Sequence, residues 1–332
     1  MKVSVVLPLY NSERYIYQTI ESLLNQTLSD FELIIVNDCS NDQSLYIVQE
    51  FIDKRIKIVN QDINRGCSSS RNLGISIAKG EYIAFADSDD LYEKSWLESS
   101  IAFLEKDEST QGVCSWISII DNNNNKIGSW TPPTNFEEIK TNILFESVFA
   151  NPTFVGRSGF VKTIHFDENL KFCEDLCVYL NSILSGAKIV NIPNFNCNYR
   201  VNNDGLTESS KKNTVLLTDV RQSIYESSFR KTELVNVEFY NKEMHQLVVE
   251  GSKLSYEQYK DLINYIRCFY RNCDKKYFDE KSINKKISNL ITYVYIRTDF
   301  SLTSGLYHFF DSFHLDCYNI KNKLKKVLRL IF

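Results

Sequence analysis

The alternation of apolar runs over the first 120 residues constrains the fold of this chain more than any other feature. "VSVVLPLY" (3–10) reads as a buried strand, and Ile16, Ile20, Leu23 and Leu24 then recur at helical spacing, with Ser12 available as N-cap. "FELIIVND" (31–38) is a second strand, and Ile47, Phe51 and Ile52 carry a second helical pattern. "IKIVNQ" (56–61) and "YIAFAD" (82–87) are two more strands, separated by a helix expected from about Ser68 to Ala78. Strands alternating with helices give a parallel sheet with helices on its faces. The expected class is therefore α/β.

Further along, a helix over about residues 94–105 leads to "GVCSWISIID", and the Asn-rich "DNNNNKIG" turns the chain back as a hairpin. "TPPTNF" (131–136) is a breaker. "FCEDLCVYLNSILSG" (172–186) is helical through Leu176, Leu180, Ile183 and Leu184, with Gly186 as C-terminal cap, and "AKIVNIP" and "FNCNYRV" read as two strands. After about residue 208 Gly and Pro nearly vanish while Lys, Glu, Leu and Tyr dominate, so residues 207–332 are expected to form a helical region behind a domain of residues 1–206. A chain of 332 residues has room for this division.

Composition removes several function classes. The net charge of −4 argues against a general nucleic-acid binder. Nine scattered cysteines without zinc-type spacing, and no secretory signal pattern in "MKVSVVLPLYNSERY", point to a reducing cytoplasm. No window approaches the ~20 apolar residues that span a bilayer. Neither G-x-G-x-x-G nor G-x-x-x-x-G-K-[ST] occurs, which counts against a dinucleotide enzyme and a P-loop NTPase.

Ligands of open parallel sheets bind at the carboxyl ends of the strands, and here each end carries unusual residues: "PLYN", "VNDCSND", "NRGCSSSRN" and "ADSDD". Asp87, Asp89 and Asp90 crowd negative charge at one strand end. Asp-x-Asp suits Mg²⁺ or Mn²⁺ completed by substrate phosphates, while the simpler reading makes Asp90 a cap of the next helix and leaves the others solvated. Arg65, Arg71 and Arg200 are the candidates for phosphate, each of which could equally be a surface ion pair. Asp38 either accepts a nucleobase N–H or caps a turn beside Asn41 and Asp42. Glu174 and Asp175 open a helix, where the dipole favours acids; one of them is also the better choice for a general base, because His165, His245, His308 and His314 lie outside the rim segments.

In that order, "VSVVLPLYNSERYI", "DFELIIVNDCSND", "NRGCSSSRNLGISIAKGEYIAFADSDD", "FDENLKFCEDLCVYLNSI" and "NYRVNN" resemble the inverting family 2 glycosyltransferases of GT-A fold, across about residues 1–206. The resemblance implies a Rossmann-like, mostly parallel sheet with a donor half (1–110) and an acceptor half (111–206). It places Pro8, Tyr10, Asn11 and Glu13 around the uracil and ribose of a UDP-sugar, Asp38 on the base, and Asn64 and Arg71 along the nucleotide pocket. Asp87, Ser88 and Asp89 become the D-x-D motif, with Asp89 on Mn²⁺ or Mg²⁺ and Asp87 on metal or ribose. Asp175 becomes the general base, with Glu174 beside it, and Arg200 holds the diphosphate. The chain departs from the family twice. Asn37 stands where a second acid is common, and Asn202 where many members have His, so Asn202 or water takes that role.

"NIKNKLKKVLRLIF" (319–332) closes the sequence as a basic amphipathic helix, read either as an interfacial membrane anchor near a lipid-linked acceptor glycan or as a helix docked on its own protein. The expected function is metal-dependent, inverting transfer of a sugar from a UDP-sugar to a glycan acceptor in capsule, O-antigen or lipooligosaccharide synthesis. The alternatives are a sugar nucleotidyltransferase, which normally opens with a Gly-rich loop this chain lacks, and a non-catalytic nucleotide-sugar-binding module.

Overall fold

The computed structural model describes residues 1–202, 214–232, 264, 274 and 276–297. The chain divides into two compact units, one of residues 1–136 and 148–209, the other of residues 137–147 and 210–332. The expected C-terminal amphipathic helix, residues 319–332, lies outside the described residues.

The first unit is built on one mixed sheet. β1 (Val3–Leu9), β2 (Phe31–Asn37), β3 (Ile56–Asn60) and β4 (Tyr82–Phe85) are parallel and ordered β3-β2-β1-β4. Val3, Val5, Val6, Leu7 and Leu33 to Val36 are wholly buried, which is why these strands read as unbroken apolar runs. The strand order reverses between β1 and β4, and a crevice for ligand opens above such a switch point. The crossover helices are α1 (Ile16–Leu24), α2 (Ser44–Gln49) and α3 (Cys67–Ile77); α1 and α3 lie close to the expected spans, whereas α2 ends before Phe51 and Ile52, the expected continuation of its pattern. α3 packs onto β1 through Gly74, where an added Cβ would come within 2.3 Å of Val6 Cγ1.

Beyond β4 the chain adds β5 (Leu91–Tyr92), α4 (Trp96–Lys106) and the hairpin of β6 (Gly112–Ile120) and β7 (Lys126–Trp130), turned at the Asn-rich segment as expected. α5 (Phe136–Asn142) follows, then β8 (Val155–Arg157), α6 (Ser158–Val161), α7 (Glu174–Leu184) and β9 (Ile189–Arg200). β8 runs antiparallel to both β4 and β6, so residues 1–110 and the segment that follows them share one sheet. Gly186 adopts φ 91° after α7 and ends it as expected.

Two further local expectations are corrected, and two short strands carry no sequence signal. The segment read as two strands around Pro193 is the single strand β9. It stays paired to β6 because residues 193–194 bulge: Ser115 pairs with Ile192, and its neighbour Trp116 with Phe195. The short strands β5 and β8 carry too few residues to show a period. Ser12 does not cap α1 with its side chain; its carbonyl accepts from Tyr15 and Ile16 N, both at 2.9 Å, and its hydroxyl turns to Ser88.

The second unit is helical in its described part. α8 (Thr214–Thr232) and α9 (Glu280–Arg297) accompany residues 137–147, with Ile139, Ile143, Leu144, Tyr225, Phe229, Phe278, Ile283 and Ile287 buried. Tyr225 donates to the Ile143 carbonyl at 2.9 Å, and Lys286 pairs with Glu146 at 2.6 Å.

Candidate active site

Four loops leave the carboxyl ends of β1 to β4, and their side chains tie them to one another. Asn11, held at φ 48°, accepts from Asn41 N at 2.9 Å, and Glu13 accepts from Gln43 N at 2.8 Å. Asp42 returns the bond to Glu13 N at 3.0 Å. Asn11 and Glu13 therefore brace the β1 and β2 loops against each other. Tyr10, like Asn11 and Glu13, is exposed, and Pro8 is half-buried at the end of β1.

Asp38 is 3% exposed and organises the next loop. Its Oδ1 accepts from Gln61 Nε2 at 2.9 Å and Arg65 N at 2.8 Å, and its Oδ2 from Gly66 N at 2.7 Å. Gly66 sits at φ 88° immediately before α3, a conformation that favours glycine, so Asp38 fixes where that helix begins. A carboxylate offers about four lone-pair positions, so one acceptor direction is left for a ligand. Asn64 and the Arg65 side chain are exposed on the same loop.

α3 then delivers Arg71, 4% exposed, into the centre of the rim. Its Nη2 reaches Asp87 Oδ1 at 2.9 Å, its Nη1 reaches Glu174 Oε1 at 2.7 Å, and it lies over the Phe166 ring at 5.4 Å. Neighbouring acids hold this guanidinium fully charged despite its burial. Asp87, Arg71 and Glu174 come from three separate segments of the chain, and the fold brings them into direct contact. Ser88 pairs its hydroxyl with that of Ser12 at 2.6 Å.

The acids of the β4 loop have separate roles. Burial and the Asp87 charge push the Asp89 carboxyl up to about 6, against a hydrogen bond from Asn202 and the Arg200 charge, which lower it. Asn202, standing where a family His was expected, thus bonds the Asp89 carboxyl. Asp90 is fully buried; its Oδ1 accepts from Arg200 N at 2.8 Å and its Oδ2 faces Cys197 Sγ at 3.6 Å. It does not cap α4, whose N-cap is Ser95. The reason is β9, which returns to the loop about a hundred residues later and takes the carboxylate. Arg200, 2% exposed, donates to the carbonyls of Asp89 at 2.8 Å and Asp121 at 2.9 Å and stacks on Tyr15 at 4.5 Å.

Asp175 enters from α7. Its Oδ1 accepts from Leu176 N at 2.7 Å, and burial, then the Glu174 charge, raise its carboxyl from 3.8 to about 6. Cys173, at φ 61°, starts the helix so that Glu174 turns to Arg71 and Asp175 stands beside it. A carboxylate poised near neutrality is suited to accept a proton.

Buried donors remain for a ligand: among the described residues Arg71 Nε and Arg200 Nη2 have no partner. The donor set also suits a hard divalent ion. Asp87 Oδ1 is held by Arg71 and Asp89 is raised by Asp87, a repulsion that a cation between them would relieve. Among the described residues no cluster of three His, Cys, Asp or Glu could enclose a metal, so two carboxylates would need substrate oxygens to complete a shell. Sequence reasoning missed Tyr15, Gln61, Tyr92 and Phe166. Tyr92, whose hydroxyl accepts from Asp87 N at 2.8 Å, and Tyr15, on which Arg200 stacks, owe their roles to partners distant in the chain or to the fold of the loop, which no local pattern shows.

An α/β sheet whose switch point carries an arginine-backed D-x-D loop and a neighbouring half-buried acid has the architecture of a GT-A transferase. The crystal structure of TarS residues 1–349 from Staphylococcus aureus, in complex with UDP-GlcNAc, shares that fold with a TM-score of 0.60 at 23% identity, over 89% of this chain and 90% of that one. The profile of Glycosyl transferase family 2 matches residues 4–163. An uncharacterised glycosyltransferase of Methanocaldococcus jannaschii is 34% identical over 216 residues, 63% of this chain and 74% of that protein. The Escherichia coli enzyme named UDP-Glc:alpha-D-GlcNAc-diphosphoundecaprenol beta-1,3-glucosyltransferase WfaP is 29% identical over 222 residues, 67% of this chain and 86% of that protein. The chain belongs to glycosyl transferase family 2 and is a glycosyltransferase.

Proposed function

We propose that this glycosyltransferase moves a sugar from a UDP-sugar to a hydroxyl of a lipid-linked glycan acceptor, with inversion, in the synthesis of a cell-envelope polysaccharide. The observation that carries this reading is Asp175, a carboxyl raised to about 6 beside the Glu174–Arg71–Asp87 chain. Support for the donor and acceptor classes comes from relatives: WfaP is named for UDP-Glc and a diphosphoundecaprenol-linked acceptor, and the TarS neighbour was crystallised with UDP-GlcNAc.

In this mechanism Asp175 takes the proton of the acceptor hydroxyl as its oxygen bonds to the anomeric carbon. The bond from that carbon to the diphosphate breaks on the opposite face, so configuration inverts. Arg71 and Arg200, with their unpartnered buried donors, face the charge that develops on the leaving diphosphate. Asp38 offers its remaining acceptor direction to a nucleobase N–H, and exposed Tyr10 covers the base. Asp87 and Asp89 would hold Mn²⁺ or Mg²⁺, an ion that supplies charge neutralisation for the diphosphate when bound.

The test is a panel of UDP-sugars incubated with the chain, with and without Mn²⁺, and monitored for slow hydrolysis. One UDP-sugar should be hydrolysed faster in a metal-dependent way. Hydrolysis of none, or of a GDP-sugar instead, contradicts the proposal. Peripheral membrane attachment through residues 319–332 belongs to the same reading. Among the described residues no helix is long and apolar enough to cross a membrane. The full chain should co-sediment with anionic liposomes, and a chain lacking residues 319–332 should not; unchanged binding would exclude that segment as the anchor.

A further inference from the structure

Asn151 is 5% exposed and opens the short turn Asn151–Thr153 that precedes β8. β8 runs antiparallel to β4, with Val155 opposite Ala84 and the Phe154 carbonyl accepting from Phe85 N at 3.0 Å. Because β8 descends where β4 ascends, the residues before β8 lie beyond the carboxyl end of β4, at the level where the chain turns into Asp87. The same turn rests against α7: Tyr179 donates its hydroxyl hydrogen to Asn151 Oδ1 at 2.9 Å. Tyr179 stands four residues after Asp175 and so shares its face of the helix. The Asn151 amide thus sits at the rim between the Asp87 turn and the helix that presents Asp175.

With Oδ1 occupied by Tyr179, Nδ2 is the end of the amide left over. It is buried and has no partner among the described residues. Folded proteins rarely leave a buried amide N–H unpaired, because the lost hydration is not recovered. The arginine donors left open in the same unit are charged and match a diphosphate, whereas Ser100 lies on α4. Asn151 is the neutral one at the transfer side, and a planar amide N–H matches the lone pair of a sugar hydroxyl. We infer that Asn151 Nδ2 donates a hydrogen bond to a sugar hydroxyl oxygen at the transfer site, held in orientation by Tyr179, and thereby helps select the sugar. The inference rests on the glycosyl-transfer reading above and names a residue that reading does not use.

The experiment uses the full chain with Mn²⁺, in the wild-type form and as Asn151→Ala and Asn151→Asp. The aspartate keeps the shape and the acceptor for Tyr179 but removes the amide N–H. Calorimetric affinities are measured for UDP and for the UDP-sugar hydrolysed fastest by the wild-type chain, and transfer is measured to a synthetic lipid-diphosphate-linked N-acetylglucosamine. Both variants should bind UDP within about twofold of wild type. A contact to the donor sugar lowers UDP-sugar affinity about 10-fold, the usual effect of one neutral hydrogen bond. A contact to the acceptor instead leaves donor binding intact and lowers kcat/KM for the acceptor by about the same factor, with donor hydrolysis by water retained. The inference is overturned if binding and transfer both stay within about twofold, or if UDP affinity falls in parallel with UDP-sugar affinity in both variants, the mark of a purely structural role. A wild-type chain that binds neither UDP nor any UDP-sugar would remove the donor reading itself, which is a different failure.

Discussion

At Asp175, burial and the Glu174 charge both favour the neutral acid, so the folded carboxyl titrates near 6 while an unfolded aspartate titrates near 4. Activity needs the deprotonated form, so kcat/KM should rise with pH through about 6 and level off above it. A profile flat from pH 5 to 7.5 would remove Asp175 as the base. Stability has the opposite sign. Between about pH 4 and 6 the folded state binds more protons than the unfolded state, so stability falls as pH rises through that window. Asp175→Asn lifts this penalty of about 3 kcal/mol and should raise Tm at pH 7 by roughly 4–6 °C in thermal unfolding. A lowered Tm would show that the ionised carboxylate is stabilising. The individual acids were visible in the sequence as candidates, but their roles were not. Asp90 looks like its neighbours in "ADSDD", and only the return of β9 to its side shows that it binds the Arg200 backbone. The same holds for Glu13 and Asn11, whose partners belong to a loop about thirty residues away.

The elements were legible where periodicity is long and the environment uniform. β1, β2 and β4 are buried almost throughout and α7 shows four apolar residues at helical spacing, so each appears without reference to the rest of the chain, while the half-buried edge strand β3 shows through Ile56, Ile58 and Val59. β5 and β8, of two and three residues, exist only through their partners β9 and β4, and β9 looked broken because Pro193 is accommodated in a bulge that pairing alone creates. α3 is the element that transmits the fold to the site: Asp38 fixes its start, Gly74 its contact with β1, and Arg71 its chemistry. Gly74→Ala would drive a methyl into Val6, a stiff β-branched residue on the central strand. The expected cost is about 1–3 kcal/mol in urea unfolding, with UDP affinity weakened as Arg71 shifts. An alanine variant with wild-type stability would mean that the helix and strand are not in tight contact at this point.

Taken as a molecule, the chain places acids and arginines from segments as far apart as Arg71 and Glu174, or Asp89 and Arg200, along the carboxyl rim of one sheet in its first unit. The parallel topology and the rim were readable because strand–helix alternation dictates where strand ends lie. The substrate was not, since a hydroxyl's stereochemistry is recognised by pocket shape and by groups such as the Asn151 amide, whose surroundings no local pattern encodes. Metal-dependent transfer from a UDP-sugar by base catalysis is the central claim. Its most direct test is Asp175→Asn, assayed for glycosyl transfer and, in the same preparation, for UDP-sugar affinity. Transfer should fall by about 10²–10⁴ while affinity stays within about twofold. A variant that transfers at a rate near wild type, or one that loses donor binding in step with activity, would contradict it.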